Sequence, residues 1–477
     1  MPAEHPVLEP IGVALSHLPD LAGQRAFHIV GAGGGNMNTI ASVLISMGHR
    51  VSGSDLRPSP VLERLERQGA LIYIGHSPSN VGDVDGVAFS AAVRAGNVEI
   101  VEASRRGIPV YSRTEILSAI CGYREVLAVS GTHGKTTTTA MLAAILARSG
   151  LRPSYMVGGE LPGGRGTAKW DNGRFLVVEA DESDGTFLHL GAFGAVVTSL
   201  EADHLDHFGD LAALRRAFGV FVDAAQGPRV VCLDDPGAAQ LVRQAERAED
   251  LWTYGAGEGA GYQVHDLALS ATGADFEVRG PGGELGAFRL AVPGLHNVLD
   301  ATAALAMALQ VGAAPEDARS ALASFQSVRR RFETKGRRDG ITYIDDYAHN
   351  PGKLRAAMAT ARLGHWARVV AVFQPHRYSR TAALSPELGE ALAAADVLVV
   401  TDIYSAGEAP LEGVSGRLVA EAAKEAQPAM QVEYLEGRQA LVGRLRELLR
   451  PGDLCLSLGA GDITTLADDL LGRSSGQ

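Results

Sequence analysis

Apolar residues recur along the chain in short runs that Gly and Pro punctuate, with stretches at helical spacing between them. The first run, Ala26 to Val30, leads through a glycine turn into a helix ending near Gly48, and a second run, Arg50 to Gly53, closes on Asp55. That succession predicts a βαβ unit. LIYIGH, VDGVAFSAAV and IPVYS continue it as strands, with a helix through EIVEASRRG. The pattern restarts at REVLAVSGTHGKTTTTAMLAAILARSG, again strand, glycine loop and helix, with FLVVEA and GAVVTSL as further strands. Residues 251 to 290 carry Gly-rich alternating stretches, read as antiparallel strands, before the helix HNVLDATAALAMAL. A third series opens after VRRRFETKGRRDG with ITYIDDYAHNP and alternates RVVAVFQP, VLVVTDI and DLCLSL with amphipathic helices. The prediction is an α/β chain of three domains, with limits at 1–121, 122–327 and 328–477 and a loose tail at GRSSGQ.

Composition narrows this picture. A chain of 477 residues is too long for one hydrophobic core, and 46% apolar residues with 57 glycines suit an α/β protein rich in tight turns. Forty-three basic against 55 acidic residues leave a net charge of −12, which argues against a nucleic-acid or anionic membrane surface. The N-terminus MPAEHPVLEP lacks the basic and apolar parts of a signal peptide, and no run reaches the roughly 18 apolar residues of a membrane span. Cys121, Cys232 and Cys455 are scattered, as core thiols of a reducing compartment would be. A cytoplasmic protein is expected.

Candidate chemistry lies at the strand ends. Gly131-Thr132-His133-Gly134-Lys135-Thr136-Thr137 joins a strand to a helix, where backbone N–H groups and the helix N-terminus suit polyphosphate. Only two residues separate its glycines, against four in the strict phosphate-loop pattern. The strand FLVVEADESDGTF brings Glu179, Asp181, Glu182 and Asp184 to its C-terminal end, and EADHLDHFGD gathers Asp203, His204, Asp206 and His207. Hard oxygen donors beside a phosphate loop suit Mg²⁺, although acidic turns and helix caps need no metal. Gly31, Gly33 and Gly34, with Asp55 ending the next strand, resemble a dinucleotide fingerprint, but Asn36 replaces its third glycine. The basic run Arg329, Arg330, Arg331, Lys335, Arg337 and Arg338 falls at a predicted domain junction, where it reads as a phosphate contact or a solvated linker. His376, Arg377 and Arg380 follow an apolar strand, a place suited to a substrate carboxylate.

In this order the blocks SGTHGKTTTT, EADESDGTFL, EADHLDH, PGLHNVLDA, IDDYAH, FQPHRYSRT, GEAPLEGVSG and LGAGDIT resemble the Mur ligases over nearly the whole chain, above all the member that adds L-alanine to UDP-N-acetylmuramate. The resemblance implies a Rossmann-like N-terminal domain for the UDP-sugar, a central P-loop ATPase domain and a C-terminal Rossmann-like α/β domain that closes on ATP and binds the amino acid. It makes Lys135 the phosphate-binding lysine, with Gly131, Thr132, His133, Gly134, Thr136 and Thr137 around ATP, Thr136 and Glu179 on one Mg²⁺, and His204 on a second. Asn297 is implied at adenine, Arg331 at phosphate, Asp346 at the ATP ribose, and His349 close to them. His376, Arg377 and Arg380 are implied at the alanine and acyl-phosphate end. The UDP-sugar side falls to Gly31, Gly33, Gly34, Asp55, His76, Ser90 and Arg113. ATP and Mg²⁺ are then the cofactors, UDP-N-acetylmuramate and L-alanine the substrates, and a homodimer is left open. The chain departs from the family at Asn36, Ser199, Asn350 and Gly352-Lys353. Competing readings are a recycling ligase that attaches a tripeptide, a nucleotide-binding regulator with the same fold, and an NAD-dependent oxidoreductase, which leaves the Gly131 loop and the EADESD block without a purpose.

Overall fold

The computed structural model describes residues 18–473 except 91, 95, 163–165, 204 and 248, and leaves out the side chains of Leu205 and Asp206. The N-terminal decapeptide, the last four residues of the expected tail, His204 and the Asp206 side chain therefore lie outside the described residues. The chain divides into two compact units. The first runs to Val264 and adds Arg279–Gly283 and Asp300–Ala321, and the second holds His265–Val278, Glu284–Leu299 and the described chain from Leu322 onward.

The first unit opens with a sheet of β1 (Ala26–Val30), β2 (Arg50–Asp55), β3 (Leu71–Ile74), β4 (Gly86–Phe89) and β5 (Val110–Ser112). Their order is β3-β2-β1-β4-β5, with every pairing parallel. The chain steps outward from β1 to β3 and then returns to the other side of β1, so the crevice for a ligand opens at the C-terminal end of β1. The Gly31 turn sits there, at φ +78°, and feeds the helix Gly35–Ser46.

The same unit contains β6 (Glu125–Ser130), β7 (Ser154–Leu161), β8 (Gly166–Lys169), β9 (Phe175–Glu179), β10 (Ala192–Val197), β11 (Arg229–Cys232) and β12 (Leu251–Gly255), in the order β12-β11-β10-β6-β9-β7-β8. β6 lies between β10 and β9, so its terminal loop is flanked on both sides by parallel strand ends. One expectation is corrected here. β12 is parallel to β11, with Arg229 opposite Leu251, and pairs parallel with the start of β13 (Tyr262–Ser270) at Tyr254. Leu251 to Gly255 thus extends the parallel sheet, and the antiparallel character begins only with β14 (Gly273–Gly280) and β15 (Gly283–Leu290), each joined to its predecessor by two residues. So short a connection permits only an antiparallel pair.

The second unit carries β16 (Glu333–Arg338), β17 (Ile341–Asp346), β18 (Val369–Phe373), β19 (Val397–Val400), β20 (Gln431–Tyr434) and β21 (Leu454–Leu458), in the order β16-β17-β21-β18-β19-β20. All neighbours are parallel except β16 and β17. Val369, Ala371 and Phe373 enter one apolar cluster while Val370 and Val372 enter the other, which explains why β18 reads as an unbroken apolar run. The basic run at the predicted junction is also revised: Lys335, Arg337 and Arg338 lie in the edge strand β16, where charge discourages further strand pairing. Cys121, Cys232 and Cys455 are buried and unpaired.

Packing leaves no space at Gly237, in the first turn of the helix Pro236–Gln244: an added Cβ would stand 2.0 Å from the carbonyl oxygen of Leu200. Backbone cannot rotate aside as a side chain can. Gly237→Ala is expected to lower stability by about 1–3 kcal/mol, measured by denaturant unfolding; an unchanged midpoint would refute this packing account.

Candidate functional site

The loop after β6 is shaped by glycine at both ends. Gly131 has φ +135° and Gly134 φ +76°, and added Cβ atoms would stand 2.2 Å from Thr198 Oγ1 and 2.3 Å from Asp300 Oδ1. Between them the loop is tied to the end of β10. Thr132 N–H donates to the Ser199 carbonyl at 3.1 Å, His133 N–H donates to Ser199 Oγ at 2.9 Å, and Glu201 N–H donates to Thr132 Oγ1 at 2.9 Å. Ser199, a departure from the family pattern, therefore holds the loop itself. The helix Lys135–Arg148 begins directly after Gly134, so the positive end of its dipole lies at the same place.

Lys135 Nζ donates to the Gly131 carbonyl at 2.6 Å and to Glu182 at 2.8 Å. Burial alone would lower its pKa, but Glu182, Asp181 and Glu179 outweigh that and raise it, so the ammonium stays charged. Burial pushes the other way on Asp181, but Lys135, Ser183 and Arg113 together outweigh it and leave that carboxyl below its ordinary value. Thr136 Oγ1 donates to Glu179 at 2.9 Å, and Gly158 N–H donates to the other oxygen of Glu179 at 2.7 Å. The carboxylate is thus held against the hydroxyl. His133 meets Glu201 at 2.9 Å, and Thr137 is buried in the first helical turn.

An open cleft adjoins this loop, lined by Asn36, Thr39, Arg113, Glu179, Asp181 and Thr186 together with apolar neighbours. Asn36 Nδ2 reaches Asp181 at 3.4 Å, so the residue that breaks the glycine fingerprint faces the acidic block. Arg113 Nη2 meets both oxygens of Asp184 at 2.7 Å. Asp55 accepts the Gly33 N–H at 2.9 Å, and the Ser54 carbonyl accepts those of Gly31 and Ala32. Ser90 N–H donates to Val30 O beside this turn, and Gly34 caps the helix that follows. His76 lies behind, with Nδ1 3.0 Å from Ser54 Oγ and from Glu99. Glu99 was not singled out in the sequence, where it is one acid in an ordinary amphipathic helix.

In the second unit Asp346 accepts the N–H groups of Phe332 and Ala348, both at 2.7 Å. Burial pushes its carboxyl up to about 6, with Arg331 opposing. Arg331 lies over Tyr347 at 5.1 Å, and Arg330 over the same ring at 4.9 Å. Arg330 also donates to the Gly459 carbonyl at 2.7 Å, which makes it a clamp on the LGAGDIT loop. Asn297 is buried and donates to Pro293 O. His349, His376 and Tyr404 form a column of rings, with centroids 5.5 and 5.8 Å apart. Arg380 reaches His376 Nδ1 at 3.4 Å. Burial, then Arg380 and Arg377, pushes His376 down to about 4, and burial with Lys353 pushes His349 well below its ordinary value. Arg377 starts the helix Tyr378–Leu392 at φ +68°, a conformation rare outside glycine. Tyr404 stacks on this group without having been marked in the sequence. Most of the predicted residues thus gather at the Gly31 and Gly131 turns with their cleft in the first unit and around the histidine–arginine group in the second; Asn297 is bonded apart from that group, and His204 lies outside the described residues.

Comparison with known proteins gives three consecutive family matches: the Mur ligase family catalytic domain over residues 26–124, the Mur ligase middle domain over 129–308, and the Mur ligase glutamate ligase domain over 330–461. The chain is 43% identical to a UDP-N-acetylmuramate--L-alanine ligase of Syntrophotalea carbinolica over 94% of its length and 97% of the relative's. It is 46% identical to the protein of that name in Kineococcus radiotolerans, over 93% and 95%. The crystal structure of the UDP-N-acetylmuramate-alanine ligase of Thermotoga maritima, 29% identical, superposes with a TM-score of 0.80 over 94% of this chain and 99% of the other. By these matches along its length, the chain belongs to the Mur ligase family.

Proposed function

We infer that this chain joins L-alanine to the lactyl carboxylate of UDP-N-acetylmuramate at the expense of ATP, in the assembly of the peptidoglycan precursor. The observation that carries the reading is the loop of Gly131 to Thr136 with its charged lysine held among Glu179, Asp181 and Glu182, in a chain so similar to ligases of that name. A carboxylate oxygen attacks the γ-phosphorus, ADP leaves, the alanine amine attacks the acyl carbon, and phosphate leaves. Two anions must meet in the first step, so the protein's task is to neutralise and orient rather than to supply a nucleophile.

Lys135 and the start of the helix Lys135–Arg148 take the phosphates, on a loop from Gly131 that Ser199 holds by the Thr132 and His133 N–H groups. Thr136 and Glu179 offer a hydroxyl and a carboxylate 2.9 Å apart, hard oxygen donors that fit Mg²⁺. His204 is carried over from the family pattern as a further ligand. When bound, the ion offsets phosphate charge. We assign the UDP-sugar to residues 1–121, ATP to 122–327, and the amino acid to 328–477. Gly31, Gly33, Gly34, Asp55, His76, Ser90 and Arg113 take the nucleotide sugar; Asn297, Arg331 and Asp346 take the adenosine and phosphates of ATP. His376, Arg377 and Arg380, beside His349, take the alanine end. There the uncharged histidines leave the arginines as the cations that meet carboxylate and phosphate. No described helix is long and apolar enough to cross a membrane, and the buried, unpaired thiols suit the cytoplasm as its compartment.

Phosphate release from Mg-ATP and UDP-N-acetylmuramate should require L-alanine and yield a product heavier by one alanine residue. Release driven only by a tripeptide would favour a recycling ligase, and no release a regulator. Lys135→Ala should lower turnover at least about a hundredfold, as loss of a charge-stabilising donor does; near-normal turnover would remove Lys135 from its assigned role. A linked effect of pH is expected in the second unit. The folded His376 has its pKa depressed to about 4 from an ordinary 6.5, so on acidification the unfolded chain binds the proton first. Its contribution to stability is present above about 6.5 and is lost as pH falls toward 4. The thermal midpoint should fall across that window, and His376→Asn should flatten the fall; an identical slope in the variant would contradict the assignment.

A further inference from the structure

Behind the Gly31 turn lies a carboxylate that no step above uses. Glu99, in the first turn of the helix Val98–Arg105, is fully buried. It accepts from Ser54 Oγ at 2.5 Å, Asn80 Nδ2 at 2.7 Å and Ser77 N–H at 3.2 Å, and it faces His76 Nδ1 at 3.0 Å and His28 Nε2 at 3.6 Å. Burial alone would raise its pKa, but the neighbouring His28 and hydrogen bonds from Ser54 and Asn80 hold it down to about 2. It is an anion, and an anion only accepts.

That fixes the protons around it. The Ser54 hydroxyl spends its hydrogen on Glu99, so the contact between Ser54 Oγ and His76 Nδ1, 3.0 Å, needs its proton from the imidazole. Nδ1 of His76 therefore carries a hydrogen, shared by Ser54 and Glu99, and the free edge of the ring is Nε2. The place matters as much as the proton. Ser54 and Asp55 end β2 and hold the N–H groups of Gly31, Ala32 and Gly33, and Gly75, just before His76, donates to the Asp55 carbonyl at 2.7 Å. The cluster is thus built into the carboxyl ends of β2 and β3, beside the switch point.

We propose that Glu99 is a positioning residue for the nucleotide sugar: with Ser54 it holds His76 by Nδ1, so that Nε2 is presented to the ligand at the rim of the Gly31 turn. The inference rests on the assignment of UDP-N-acetylmuramate to this site. A carboxylate fully removed from water and surrounded by five polar partners gives the ring one orientation, where a solvated histidine would sample several.

The test is calorimetric titration of UDP-N-acetylmuramate into the full chain, with steady-state kinetics alongside, for the unmodified protein, Glu99→Gln, His76→Ala and the double variant. Glu99→Gln should weaken binding about tenfold and raise KM for the nucleotide sugar by the same factor, with KM for ATP unmoved and kcat within about twofold. In the His76→Ala background the same change should have no further effect on affinity. A role in folding alone would lower the thermal midpoint and act equally in both backgrounds, which would overturn the proposal, as would unaltered affinity in Glu99→Gln. Should Glu99→Gln fail to fold, Ser54→Ala gives the same reading: a smaller loss of affinity that vanishes without His76 supports it, and no loss overturns it. Lack of binding by the unmodified protein would instead overturn the substrate assignment, and this inference with it.

Discussion

The loop after β6 leaves no room for a side chain at either glycine. At Gly131 the obstacle is the Thr198 hydroxyl and at Gly134 the Asp300 carboxylate, each nearer than 2.5 Å to where a Cβ would stand. Both residues also occupy backbone conformations that other residues avoid. This close approach lets the ends of β6, β9 and β10 converge on one turn of chain, and everything chemical in the first unit is arranged around it. The start of the helix Lys135–Arg148, the Glu179 carboxylate and the tie to Ser199 all presuppose that the loop lies flat against β10.

Charge is the second organising theme, and it is handled by pairing within the site. A net charge of −12 does nothing to attract phosphates, so cations are placed singly where they are needed. Lys135 keeps its charge against burial because three carboxylates face it. Arg113 is oriented by Asp184, and Arg330 is consumed in holding the Gly459 loop. In the second unit the two histidines are stripped of charge by burial and by the arginines beside them, which leaves Arg377 and Arg380 as the positive groups. Arg377 itself holds a backbone conformation, φ +68°, that side-chain-bearing residues rarely adopt.

Much of this was legible from residue patterns. Strand–glycine–helix units at Ala26 and Glu125, the strand and helix from Ile341, the acids after β9 and the histidine–arginine group after β18 all come from local rules of spacing and turn chemistry. Reading failed where the signal is short or shared. Leu251 to Gly255 alternates as an antiparallel strand would, yet it lies parallel to β11, because alternation reports which faces are buried and not the direction of the neighbour. The arginine-rich stretch before Ile341 reads as a phosphate contact or a linker and hides a strand, since an edge strand is exposed on one side and tolerates the same charges.

By itself the sequence determined the α/β class, the family, and which residue types cluster at the strand ends, since those depend on residues held within a few positions of one another. Tertiary structure decided which of them face each other. Glu99 lies 45 residues from Ser54 and 23 from His76, yet forms with them the buried support of the glycine turn. Ser199 closes on His133 across 66 residues, and Gly158 on Glu179 across 21. A hydrogen bond depends on positions within a few tenths of an ångström, and only the packing of strands and helices sets those distances between residues far apart in the chain.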